Sequence, residues 1–153
     1  MSIGKINLLV TGGCGFIGSN FINYIFQNKK YNIVNLDAMY YCASEDNVNK
    51  NIQNSKDYTF VKGNLCSEDL VNHILQVYNI EQVIHFAAQS HVQNSFDDSL
   101  QFTRDNILGT HMLLECCRKY GKIQKFIHVS TDEVYGESMN DINEQHKTEY
   151  SIL

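Results

Sequence analysis

A chain of 153 residues with 43% hydrophobic content is long enough for one domain with a real core. Its net charge of −5 and scattered basic residues leave no nucleic-acid footprint, and no apolar run reaches the length of a membrane span. Five cysteines, none at C-x-x-C spacing, read most simply as reduced thiols of a cytoplasmic protein, and the N-terminus is expected to run into the first strand without a signal peptide.

Residues 6–10 are almost all apolar, as in a strand covered on both faces. The turn that follows fits G-x-G-x-x-G at Gly13, Gly15 and Gly18, and G-x-x-G-x-x-G at Gly12, Gly15 and Gly18. Both spacings put small residues where a pyrophosphate approaches backbone N–H groups at a helix N-terminus. An amphipathic helix is expected next, patterned by Phe16, Ile17, Asn20, Phe21, Tyr24 and Ile25. A second strand over 32–37 ends in Asp37, 19 residues after Gly18. An acid at that distance is where a carboxylate holds the ribose hydroxyls of NAD. The plainer role for Asp37 is to cap the loop after it.

Residues 45–55 are polar and asparagine-rich, with weak helical character. A third strand is predicted over 58–62 and a helix from Ser67 as N-cap, with Glu68 and Asp69 in its first turn and Leu70, Val71, Ile74, Leu75 and Tyr78 along its stripe. A fourth strand follows over 82–86. A long helix over 99–120 should bury Leu100, Phe102, Ile107, Leu108, Met112, Leu113 and Cys116 and stop at Gly121. The fifth strand is predicted over 126–130. This alternation predicts an α/β fold, a Rossmann-like doubly wound parallel sheet of about five strands with helices on both faces. Ligands of such sheets lie beyond the carboxyl ends of the strands. Five segments should therefore converge: the glycine turn, 37–41, 63–65, 86–91 and 130–136. The histidines at 85 and 128 sit inside predicted strands without an acid or cysteine at ligand spacing, so they read as packing and no metal site is predicted.

With those segments placed, the chain resembles the dTDP-glucose 4,6-dehydratase family of extended short-chain dehydrogenases/reductases. The resemblance rests on Thr11–Ser19, on residues 37–44, on His85-Phe86-Ala87-Ala88-Gln89-Ser90-His91-Val92, on Asn106-Ile107-Leu108-Gly109-Thr110, and above all on His128-Val129-Ser130-Thr131-Asp132-Glu133-Val134-Tyr135-Gly136. It implies an NAD-dependent lyase acting on a nucleoside-diphosphate hexose, dTDP-glucose first among them. Oxidation at C4 makes the C5 proton acidic, water leaves across C5–C6, and hydride returns to C6. By the same resemblance Asp132 is the acid at the C6 hydroxyl, Glu133 the base at C5, and Thr131 a hydrogen-bond partner near the C4 oxygen. Ser130-Thr131-Asp132-Glu133 equally fits a helix capping box. Gly12, Gly15 and Gly18, with the backbone at Phe16 and Ile17, are expected to hold the pyrophosphate, and Asp37 the adenosine ribose. Ala87 and Ala88 are expected to let the cofactor pass close to the strand end. Asn64-Leu65 stands where the family usually has an acid beside the adenine, with the Asn64 amide oxygen as acceptor. Ser90, His91 and Ser95 are the expected substrate-side residues.

The resemblance implies a Tyr-x-x-x-Lys pair after the fifth strand, and the expectation is that this chain has none: Tyr120 has Gln124 four places on, Tyr135 has Met139, and Tyr150 is followed only by Ser151, Ile152 and Leu153. The expectation is therefore an NAD-binding half spanning 1–153, without the C-terminal substrate domain and inactive alone. It should expose the long helix through which family members form homodimers. An epimerase or decarboxylase of the same superfamily, and a non-catalytic NAD-binding module, stand as alternatives.

Overall fold

The structure is a computed structural model and describes residues 4–131 and Val134. Its strands β1 (Ile6–Thr11), β2 (Tyr31–Asp37), β3 (Tyr58–Lys62), β4 (Gln82–His85) and β5 (Lys125–His128) form one parallel sheet in the order β3-β2-β1-β4-β5. The chain winds outward from β1 to β3, then crosses back to place β4 on the other side of β1. The strand order thus reverses between β1 and β4, where the loops diverge and leave a crevice.

Helices cover both faces. They are α1 (Phe16–Ile25), α2 (Lys50–Gln53), α3 (Glu68–Val77), α4 (Val92–Asp97), α5 (Ser99–Phe102) and α6 (Gly109–Tyr120), with a π-helical segment, Thr103–Leu108, joining α5 to α6. Alternate residues of one strand feed two cores, as the period of two requires. Leu9, Val34 and Val83 pack with Val71, Ile74 and Leu75 of α3 and with Leu113 and Cys116 of α6. Leu8, Val10 and Ile33 pack on the opposite side with Ile22 and Ile25 of α1, and with Val48 and Ile52. The predicted doubly wound sheet is therefore present.

Three local expectations are corrected. On α1, Phe16 and Tyr24 are 82% and 72% exposed, and Ile17 faces outward too; the inward face is Gly18, Ser19, Ile22 and Ile25. The reason is steric: Gly18 lies so close to the Gly12 carbonyl and Gly13 that no side chain fits between. The predicted helix over 99–120 is interrupted by the π-helical segment. Leu113 and Cys116 are buried and Phe102 and Met112 half-buried, but Leu100, Ile107 and Leu108 are exposed. A π segment closes i→i+5 bonds, so the stripe before it is out of phase with the stripe after it. The segment at 45–55 is more ordered than expected: a 3₁₀ turn (Glu45–Asn47) and α2 deliver Val48 and Ile52 to the core. Ser67 does occupy the N-cap of α3, yet its side chain makes no cap bond; Glu68 reaches Lys119 of α6 at 2.8 Å instead. Gly121, at φ +70°, ends α6 with its N–H on the Cys117 carbonyl.

His85 ties three of these elements together. It is fully buried at the end of β4, with Nδ1 2.6 Å from the Thr11 hydroxyl of β1 and Nε2 2.9 Å from the Thr110 hydroxyl of α6. Burial, with His128 stacked 5.0 Å away, pushes its pKa down to about 4. The folded state therefore keeps His85 neutral in a range where the unfolded chain binds a proton. Its contribution is complete above about pH 6.5 and is lost as pH falls toward about 4. Urea unfolding across that window should show a loss of up to about 3 kcal/mol from this group. His85→Gln should flatten that part of the pH dependence relative to the parent chain.

Candidate functional site

A cleft of about 470 Å³ opens at the reversal point, beyond the carboxyl ends of the strands. Gly12, Gly15, Phe16, Ile17 and Gly18 line it from the turn after β1, and Asp37 from the end of β2. Asn64 and Leu65 reach it from β3, Ala87, Ala88 and Ser90 from β4, and Thr131 from β5. The convergence expected from the sequence is thus realised for these twelve residues. His91 and Ser95 do not line the cleft. His91 caps α4 through the Asn94 N–H at 3.4 Å, and the Ser95 hydroxyl donates to the Val92 carbonyl at 2.6 Å. The His91 ring meets Tyr41, which does line the cleft, edge-on at 6.0 Å. Asp132 and Glu133 lie outside the described residues.

Three glycines of the turn are there for different reasons. Gly12 takes φ +72°, and a Cβ there would come within 2.6 Å of the Ala87 backbone nitrogen. Gly18 is required by its contact with the Gly12 carbonyl. Gly15 is different: a Cβ there would meet only the Gly12 carbonyl at an ordinary 3.5 Å. It is the N-cap of α1, where no side chain caps the helix and no acid lies in the first turn. The leading N–H groups of α1 are thus left for an anion in the cleft.

Asp37 makes the loop cap expected of it and grips the glycine turn as well. One carboxylate oxygen accepts from the Cys14 N–H at 2.9 Å, inside the glycine turn. The other accepts from the Met39 N–H at 2.8 Å, capping the next loop. Each oxygen retains a lone pair for a second donor. A buried carboxylate with two oriented oxygens at this place suits a vicinal diol. Together with the bare helix start and the bare Gly15, it makes the cleft fit an anionic bridge followed by a ribose. The intervening Cys14 is no nucleophile: burial, and the Asp37 charge next, push its thiol up to about 12.

Asn64 departs from its expected use. Its amide oxygen accepts from the Cys66 N–H at 2.8 Å, closing a local turn. Its amide nitrogen donates to the Tyr40 hydroxyl at 2.8 Å and to Asp105 at 3.2 Å. Asp105, which sequence reasoning missed, also lines the cleft and accepts from Tyr40 at 3.3 Å, Gln89 at 3.1 Å and Gln101 at 2.9 Å. Asn106 beside it grips the Gln89 backbone at both ends, N–H to Oδ1 at 2.7 Å and Nδ2 to carbonyl at 2.9 Å. The segment 106–110 carried part of the family resemblance, so the signal was there without a role attached.

The expectation that the chain has no Tyr-x-x-x-Lys is corrected: the spacing occurs once, at Tyr58 and Lys62. It lies along β3, where four residues of extended chain span about 13 Å. Tyr58 is buried, accepts from the Asn35 amide at 2.8 Å, and burial pushes its phenol up to about 12. It is a core residue and no catalytic pair. Among the described residues, no cluster of three His, Cys, Asp or Glu is arranged for a metal, and no helix is long and apolar enough to cross a membrane.

A family model described as GDP-mannose 4,6 dehydratase matches residues 9–151. The trifunctional UDP-glucose 4,6-dehydratase/UDP-4-keto-6-deoxy-D-glucose 3,5-epimerase/UDP-4-keto-L-rhamnose-reductase of Arabidopsis thaliana is 50% identical over 136 residues, which are 88% of this chain and 20% of that protein. The dTDP-D-glucose 4,6-dehydratase of Dictyostelium discoideum is 45% identical over 95% of this chain and 35% of its own length. Among solved structures, the dTDP-glucose 4,6-dehydratase of Bacillus anthracis in complex with NAD superposes with a TM-score of 0.81 at 38% identity, covering 96% of this chain and 44% of that one. The chain thus spans less than half the length of each of these relatives.

The glycine geometry separates fold from ligand. Gly18→Ala should cost about 3 kcal/mol, because backbone must move to admit its Cβ. Gly15→Ala should cost under about 1 kcal/mol, the price of a poorer N-cap. Thermal unfolding of the two variants beside the parent chain checks the contrast.

Proposed function

The chain belongs to the sugar-nucleotide 4,6-dehydratase family, and from that premise we propose that it is the NAD-binding half of a nucleoside-diphosphate-hexose 4,6-dehydratase, with dTDP-glucose as the preferred substrate. The observation that carries this reading is the pairing of Asp37 with the glycine turn across one cleft whose opposite rim ends at Thr131. NAD held there supplies the hydride acceptor for oxidation at C4 and the hydride donor for reduction at C6.

The chain's own residues are assigned as follows. The N–H groups at the start of α1 bind the pyrophosphate, and Gly15 admits it. Asp37 accepts from the two adenosine ribose hydroxyls while its bonds to Cys14 and Met39 hold it in place. A carboxylate there repels the 2′-phosphate of NADP, so NAD is preferred. Ala87 and Ala88 leave room for the dinucleotide to cross the end of β4. Thr131 donates a hydrogen bond toward the C4 oxygen. Glu133 removes the C5 proton, and Asp132 gives a proton to the departing C6 oxygen, so that water leaves and the C5–C6 double bond forms. The homodimer of the whole enzyme is assigned to the helix whose Leu100, Ile107 and Leu108 are exposed.

NAD should bind the 153-residue chain in a calorimetric titration. Asp37→Asn should weaken that binding about tenfold and narrow the preference over NADP. The chain incubated with NAD and dTDP-glucose should form no 4-keto-6-deoxy sugar, because among the described residues no tyrosine–lysine pair lines the cleft; product formation would defeat that part of the reading. In a chimera carrying the C-terminal part of a relative, Asp132→Asn and Glu133→Gln should each slow product formation by about 10²–10⁴-fold.

A further inference from the structure

Among the described residues, Asp105 is the one carboxylate lining the cleft that this mechanism leaves unused, and its contacts are of a particular kind. Its four acceptor positions are all filled, and by side chains from separate loops. Tyr40 comes from the loop after β2, Asn64 from the loop after β3, and Gln89 from the loop after β4, while Gln101 comes from α5, one turn earlier. Asn64 and Gln101 also donate to the Tyr40 hydroxyl, at 2.8 Å and 3.2 Å. Burial, and Asp105 after it, hold the Tyr40 phenol above its usual range, so it stays protonated and donates. The network therefore has one anion and every donor directed at it.

Its position says which part of a ligand it serves. The glycine turn after β1 takes the pyrophosphate, and Asp37 at the end of β2 takes the adenosine ribose. The base attached to that ribose then lies toward the next strand out, β3, where Asn64 and Tyr40 line the cleft. Resting on the dinucleotide reading, we propose that Asp105 is a positioning residue for adenine recognition: it pins the β2 and β3 loops against the helix, and its charge is matched to the neutral Asn64. Asn64 cannot be an acid beside it, because the amide nitrogen that donates to Asp105 at 3.2 Å would become a second carboxylate oxygen. Asp105 cannot be an amide, because an amide presents one acceptor atom and one donor where four donors converge.

The pair defines its own test. NAD and AMP are titrated into the full chain, its single variants Asp105→Asn and Asn64→Asp, and the double variant Asn64→Asp/Asp105→Asn, with thermal unfolding measured in parallel. Each single variant should weaken NAD and AMP by the same factor, about tenfold, because the loss sits at the adenosine end. The double variant returns a carboxylate to the pair but leaves Gln89 and Gln101 facing an amide, so it should bind NAD and AMP more tightly than either single variant and less tightly than the parent. Single variants that bind AMP as the parent does overturn the inference. So do losses that follow the melting temperature and are not recovered in the double variant, which make Asp105 a fold residue only. A parent chain that binds neither NAD nor AMP overturns the dinucleotide reading itself, whatever the variants do.

Discussion

The grip of the Asp37 carboxylate on two backbone N–H groups is what joins the fold to the site. One oxygen ends on Cys14, in the turn after β1; the other ends on Met39, in the loop after β2. These are the two loops that bound the cleft on its β2 side. Without the carboxylate, the buried Cys14 N–H would lack its acceptor, a cost of about 1–3 kcal/mol, and the turn would have no fixed height above the sheet. The shape that presents the start of α1 to a ligand is thus set by the same group assigned to the ligand's ribose. A carboxylate has four acceptor positions and the backbone uses two here, so two stay open toward the cleft.

The sheet was readable in the sequence because burial on both faces leaves near-continuous apolar runs, as in Ile33-Val34 and Leu8-Leu9-Val10, with turn residues between them. Helix faces were less readable. Phe16, Ile17 and Tyr24 look like an inward stripe, yet the contact at Gly18 forces the small side of α1 toward the turn. Apolar character alone cannot register a contact made by backbone. The cleft residues named from the glycine spacing and the acid at Asp37 converge because their signals are local, within one β-α-β unit. The Asp105 network had no such signal. Three of its four donors are 65, 41 and 16 residues away from it in sequence, and each is an ordinary polar residue where it stands. Nothing short of the strand order brings Tyr40, Asn64 and Gln89 to one point.

The same logic explains the role of Asn64. An amide after β3 is a poor substitute for an acid if its oxygen is the point of contact, and in the structure that oxygen serves Cys66. The amide makes sense through its nitrogen, which needs an anion to donate to and has one in Asp105. The position is best understood as half of a pair, with the charge placed on the helix.

The π-helical segment Thr103–Leu108 makes the length of this helix a matter of phase. An extra residue in one turn rotates everything after it by about 100° relative to a continuous α-helix. Gln101 just before the wide turn and Asp105 and Asn106 within it address the loops of the cleft; downstream, Leu113 and Cys116 address the sheet. A one-residue deletion here would do more than shorten the element. It would convert the wide turn to an ordinary one and swing either the polar set off the cleft or the apolar set off the core. Insertions and deletions that a surface helix absorbs at its ends are therefore closed to this one in its middle, and its two halves can vary in sequence but not in spacing.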